Sequence, residues 1–241
     1  MDRQHRRDLK HDKFVDEVGN LSNRAVENQR LLLLITAGAV VIAILAYGIY
    51  FYRSNREEKA QAALAVAIET IDSPLIPAPG AQQQQPVPPN ARFKTDGERA
   101  GAAEKQFETV KHDYSGSTAA DVADLYLARI TGAKGDYANS RKLLEGFINR
   151  EPSHLLVGGA RYSLFQLRID NGEQDQVIGE LNAEILKRDP VLPTDALLEL
   201  LARAYDHQGN TAKMKETYRR IATEFPDSPY TVEAQRRSGA A

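Results

Sequence analysis

The chain holds five histidines (His5, His11, His112, His154 and His207), the residues best suited to moving protons or binding metal near neutral pH. None of them falls at HExxH or other metal-ligand spacing. Asp113 follows His112 and Asp206 follows His207, but adjacent helical positions point to different faces, so neither pair reads as an acid–base couple. Cysteine is absent, which excludes disulfides, thiolate nucleophiles, lipid-acylated cysteine and Cys-ligated zinc. There is no G-x-S-x-G elbow and no phosphate-binding glycine loop, and Gly158-Gly159 lacks a preceding strand. Glu57, Glu58, Asp121 and Asp124 read as solvated helix faces. Lys and Arg total 31 against 33 Asp and Glu, a balance that does not suit nucleic acid. The expectation is therefore no enzyme, no cofactor, no metal and no small-molecule substrate. What remains is recognition of proteins and of lipid.

The lipid element is Leu31 to Tyr52, LLLLITAGAVVIAILAYGIYFY, an uncharged and Pro-free run between Arg30 and Arg53. As a helix it extends roughly 33 Å, enough to cross a hydrocarbon core of about 30 Å. Only a helix can do so alone, because lipid offers no partner to an open backbone group. Tyr47, Tyr50 and Tyr52 suit a headgroup layer. The run is too long for the core of a cleavable signal and ends in YGIYFYRSN rather than small residues. A single-pass anchor is expected.

Residues 1–30 form a charged tail, in which Phe14, Val18, Leu21 and Ala25 recur at the spacing of a short amphipathic helix. The tail carries seven Lys/Arg and residues 53–72 carry three, so the positive-inside rule places the N-terminus in the cytoplasm. Beyond the anchor, 53–72 predicts a continuing helix with Leu64, Ile68 and Ile71 on one stripe, stopped by Ser73-Pro74. Residues 73–96 open with SPLIPAPGAQQQQPVPPNA, a low-complexity spacer of polyproline character.

From 97 to 241 the pattern is helical and repetitive. Gly97, Gly135, Gly172 and Gly209 are 38, 37 and 37 residues apart, and each is followed after one amphipathic helix by YSGS, EPSH, DPVLP or FPDSP. Leu143, Leu144 and Phe147, then Val177, Leu181 and Ile185, then Met214, Tyr218 and Ile221 form equivalent apolar rows. A lone hairpin cannot bury such a row, so neighbours must stack. Residues 195–228 resemble the tetratricopeptide repeat: Leu201-Ala202, Tyr205, Gly209, Tyr218 and Pro226 occupy its signature positions. The copy at 121–154 matches through Leu127-Ala128, Gly135-Asp136-Tyr137 and Pro152, with Thr131 in place of an aromatic. The copy at 158–190 is weaker, with Phe165 where a small residue is usual. The helix at 57–71 is expected to start a first repeat split by the spacer. The fold class is thus all-α: one transmembrane helix, then a tetratricopeptide-like α-α hairpin solenoid.

A charged tail, one anchor, an Ala-rich helix and degenerate repeats resemble the YfgM-type family of ancillary Sec translocon subunits. That resemblance implies a repeat domain in the periplasm of a bacterium, anchored in the inner membrane. Its implied partners are the translocon, a periplasmic chaperone and exported clients. The first helices of the hairpins, roughly 119–131, 156–170 and 194–207, should line an inner groove. Their charged and aromatic residues Asp124, Tyr126, Arg161, Tyr162, Arg168, Glu199 and Arg203 are the expected partner-binding set. An alternative is a membrane-anchored adaptor whose N-terminal tail binds a cytoplasmic signalling or division protein. Because the repeats bring their own core, a chain lacking residues 1–56 is expected to be soluble, helical and cooperatively folded. A far-UV thermal scan without a transition would overturn this.

Overall fold

The structure, a computed structural model, describes residues 29–77 and 87–239. The expected helix around Phe14 to Ala25 and residues 78–86 of the Pro/Gln segment lie outside them. The described residues form nine helices and no named strand: α1 (Gln29–Asp72), α2 (Asp96–Asp113), α3 (Thr118–Ala133), α4 (Tyr137–Arg150), α5 (Val157–Asp170), α6 (Gln174–Ile185), α7 (Thr194–His207), α8 (Thr211–Glu224) and α9 (Thr231–Ser238). The chain divides into two compact units, one ending at Arg56 and one starting at Glu57. In the first, the side chains from Leu33 to Tyr52 are all exposed, and the helix is long and apolar enough to cross a membrane.

The second unit is a stack of helical hairpins. Ala60, Leu64 and Ala67 of α1 are buried in one cluster with Ala103, Phe107 and Val110 of α2, so the hairpin split by the Pro-rich connection closes as expected. Leu75 and Phe93 pair across the two ends of that connection, and the Ile76 amide donates to the Phe93 carbonyl at 2.8 Å. Gly97 does not mark a turn here. It lies in the first turn of α2, whose N-cap is Thr95, because the Pro-rich segment supplies the reversal instead. The other three spaced glycines do turn the chain, with φ of 84° at Gly135, 89° at Gly172 and 76° at Gly209. Such angles cost a Cβ-bearing residue about 1–2 kcal/mol. In two of these turns the next residue caps the following helix: Asp136 accepts from the Asn139 amide and Asn210 from that of Lys213.

Two hydrophobic clusters fill the stack and meet at α5. Cluster one runs from α1 to α4 and takes Ala160 from α5; cluster two takes Ile169 from α5 and continues through α9. The short final helix α9, which the repeat spacing alone does not announce, closes cluster two with Ala234. Phe107, Phe147, Leu197 and Ile221 have no exposed surface. Phe147→Ala should therefore cost about 3–5 kcal/mol. Val66→Ala, at a half-exposed position, should stay within about 0.5 kcal/mol. Urea unfolding of residues 57–241 reads both.

Candidate interaction groove

A groove of about 1080 Å³ is lined mainly by α3 and α5. α3 contributes Tyr126, Ala128, Arg129, Gly132 and Ala133, while α5 contributes Gly159, Ala160, Tyr162, Ser163, Gln166 and Asp170. Tyr137 and Ser140 of α4 and His207 of α7 also line it, together with the leucines Leu125, Leu144, Leu156 and Leu167. Small residues on both helices leave space for the groove. A Cβ on Gly132 would sit 3.1 Å from Ser140 Oγ and 3.2 Å from Leu167 Cδ1, so this glycine lets α3 approach its neighbours. A Cβ on Gly159 would meet nothing within 4 Å. Tyr126 is fixed by stacking on Phe107, with ring centroids 4.6 Å apart.

Of the expected binding residues, Tyr126 and Tyr162 line this groove and the other five do not. Asp124 is buried, with Lys111 Nζ at 2.7 Å and Arg150 at 2.6 Å, so it joins α3 to α2 and α4. Glu199 is buried and accepts the Tyr162 hydroxyl at 2.5 Å, joining α7 to α5. The hydrogen bonds from Lys187 and the Val191 amide hold the Glu184 carboxyl below its usual range, with the Arg161 charge adding to them. Arg203 reaches Asp170 at 4.0 Å and does not line the groove. Arg168 turns away from the groove, into a fork with both oxygens of Glu180 (2.6 and 2.7 Å) while its Nε donates to Glu173 at 3.0 Å. Arg141 of α4 reaches the same Glu173 at 3.0 Å. The reason is common to these residues: spacing assigns a helix face, but the face toward the next repeat also holds charges, and there they find partners.

Sequence reasoning missed Arg129, Tyr137, Gln166, Asp170 and His207. The signal was present, since Tyr126, Arg129 and Ala133 share one helical stripe, as do Gly159, Tyr162, Gln166 and Asp170. His207 sits 3.6 Å from Asp170, not beside its sequence neighbour Asp206, which binds Arg237 instead. The expectation for His112 is corrected as well: its Nδ1 lies 2.8 Å from Asp113, an exposed pair at the last turn of α2. No group of three potential metal ligands occurs among the described residues.

The charges around Glu173 hold the middle hairpin together. Hydrogen bonds from Arg168 hold the Glu173 and Glu180 carboxyls below their usual range. The network therefore stabilises the fold at neutral pH, and its contribution fades as pH falls through about 4. Glu199 goes the other way: burial raises its pKa, with the Tyr162 hydroxyl only partly opposing, so ionised Glu199 is unfavourable at neutral pH. Arg168→Glu should lose roughly 1–3 kcal/mol, by setting three carboxylates together, and Arg168→Met should flatten the acid limb of stability below about pH 4. Glu199→Gln, which keeps an acceptor for Tyr162, should melt no lower than the parent at pH 7. Melting curves across pH decide both.

Among solved structures, a crystal structure of nearly identical TPR-like repeats from a candidate kinesin light chain of Podosopora anserina is similar over 76% of this chain and 85% of that chain, with 15% identity and a TM-score of 0.50. A variant of those repeats, also solved as a crystal structure, gives 16% identity and 0.49 over the same shares. These likenesses concern the fold. No curated protein matches the chain. The tetratricopeptide repeat model matches residues 195–228, the copy whose signature residues are most complete. The tetratricopeptide repeat-like domain model matches residues 29–188, two thirds of the sequence, and the chain belongs to that family.

Proposed function

We propose that the groove along α3 and α5 receives an extended or helical segment of another protein, held to the membrane by the Leu31 to Tyr52 anchor. The coarse part follows from the family, since tetratricopeptide repeats are protein-interaction scaffolds. One observation carries the rest: three tyrosines and the exposed Arg129 line the groove with Gly, Ala, Ser and four leucines, an apolar surface with room for a backbone beside its small residues. Tyrosine supplies large contact area with few rotatable bonds and a polar tip. Asp170 is already engaged by His207 and Arg203, whereas Arg129 stands open, so an acidic residue in the bound segment would complement it.

The seven cations of the tail support a cytoplasmic N-terminus, with the repeats on the outer side of a bacterial inner membrane. In that compartment the scaffold would serve export or envelope assembly beside the Sec translocon and a periplasmic chaperone. A reporter fused after Ala241 tests the topology. Activity of a cytosol-only reporter would overturn the export reading in favour of a cytoplasmic adaptor.

Gly159→Leu tests the groove. Gly159 is an exposed residue in the first turn of α5 and the added side chain starts in open space, so melting should not fall. Site-specific crosslinking from Tyr126 or Gln166 to copurifying proteins should drop severalfold. Unchanged crosslinking with this variant would move the binding surface elsewhere.

A further inference from the structure

We infer that His154 caps the start of α5 only while its ring is uncharged, so that acid releases the first turn of α5 at the Leu156 end of the groove. The inference rests on the groove reading for its consequence, but not for its test.

The repeat itself defines the capping place. Ser117, His154 and Ser228 lie at intervals of 37 and 74 residues, one and two repeat lengths. The junctions at His154 and Ser228 share a backbone pattern. Their amides donate to the Glu151 and Phe225 carbonyls at 3.1 and 3.0 Å, and their carbonyls accept from Val157 and Thr231 at 3.0 and 3.1 Å. The Ala160 and Ala234 amides then close the first helical turn on the Leu156 and Tyr230 carbonyls, each at 2.9 Å. In both junctions the side chain accepts from the amide two residues on. Ser228 Oγ takes that of Tyr230 at 3.2 Å, and His154 Nδ1 takes that of Leu156 at 3.1 Å. Ser117 Oγ likewise accepts from the Ala120 amide at 3.1 Å. Leu156, the N-cap residue of α5, supplies no side-chain bond of its own.

A hydroxyl and an imidazole differ in one respect that matters here. The hydroxyl can always accept, whereas a doubly protonated ring has two N–H donors and no acceptor. The bond from the Leu156 amide therefore needs the neutral ring with its proton on Nε2. An unperturbed imidazole changes charge between about pH 8 and 5. At this one junction the repeat has put a titratable group where the others have serine.

The surroundings hold the ring without giving its charged form a partner. Phe147 meets it edge to face, with centroids 5.3 Å apart. The charged groups on the flanking elements are Arg150 and Glu151 at the end of α4, Asp121 and Asp124 of α3, Arg161 of α5 and Asp195 of α7. Asp121 holds the repeat position of Asp195, which accepts from Ser228 at 2.7 Å. Arg150 takes Asp121 at 2.9 Å and Asp124 at 2.6 Å instead. Among the described residues His154 forms no ion pair. Protonation thus removes the cap and adds nothing in its place. Leu156, Gly159 and Ala160 line the groove, so opening this turn loosens one end of it.

Hydrogen exchange on the full-length chain in a phosphatidylcholine nanodisc tests the cap. Read by mass spectrometry and corrected for intrinsic rates, it compares residues 155–160 with 229–234 at about pH 7.5 and about pH 5. The expected result is a severalfold loss of protection at 155–160 on acidification, with the serine-capped 229–234 unchanged. His154→Ser, which copies that reference, should keep the protection and abolish the loss. His154→Ala should lose protection already at the higher pH. Equal protection of 155–160 at the two pH values in the parent would overturn the inference. So would an acid loss that persists in His154→Ser, or full protection in His154→Ala. None of these readouts needs a bound partner, so failure of the groove reading, seen in the Gly159→Leu crosslinking, is told apart from failure here.

Discussion

Every hairpin in this protein has an apolar stripe that it cannot cover alone, and the stack exists because the next hairpin covers it. The covering is close because the contact residues are small. Ala60, Ala67, Ala103, Ala119, Ala123, Ala160, Ala202, Ala204 and Ala234 are all nearly or fully buried, and they leave room for the few large residues, such as Phe107 and Phe147, that fill the space between layers. Interiors packed this tightly tolerate little change of volume. The same economy of side chains makes the groove: where α3 and α5 have Ala, Gly and Ser and no further layer covers them, the missing atoms become a channel.

The middle hairpin departs from this scheme, and the departure is chemical. Asp136 and Asn210 cap the helices that follow Gly135 and Gly209, but Glu173 makes no such cap after Gly172. Its carboxylate is instead spent on Arg168 and Arg141. Of the helix it precedes, only Val177 and Leu181 are buried, and α5 itself buries only Ala160 and Ile169. A polar clamp thus replaces part of the apolar contact where cluster one gives way to cluster two. Such a clamp holds geometry well while adding modest net stability, because desolvation offsets much of the attraction.

Much of this was legible in the residues. The positive-φ turns at Gly135, Gly172 and Gly209, the anchor run and the apolar rows are local features, and periodicity reports local features. The weakness of the middle copy was legible too, through Phe165, which packs partly buried against cluster two. What escaped was everything decided between repeats. That Asp124 would meet Lys111 and Arg150, or that Glu199 would take the Tyr162 hydroxyl, depends on side-chain reach across helices far apart in sequence. Gly97 misled because a matching interval was read as a matching turn. Tyr126 and Tyr162, which line the groove, stood out as aromatics on the first helices of the hairpins, whereas Arg129 had nothing to set it apart from any other surface arginine.

The pairing of Leu75 with Phe93 closes the first hairpin outside its low-complexity interval. Because its two ends are held together, a longer or shorter interval changes the closure entropy only with the logarithm of its length. Doubling that length adds about 0.6 kcal/mol, so the join at Leu75 and Phe93 makes the first hairpin nearly indifferent, on entropic grounds, to how many residues lie between its helices.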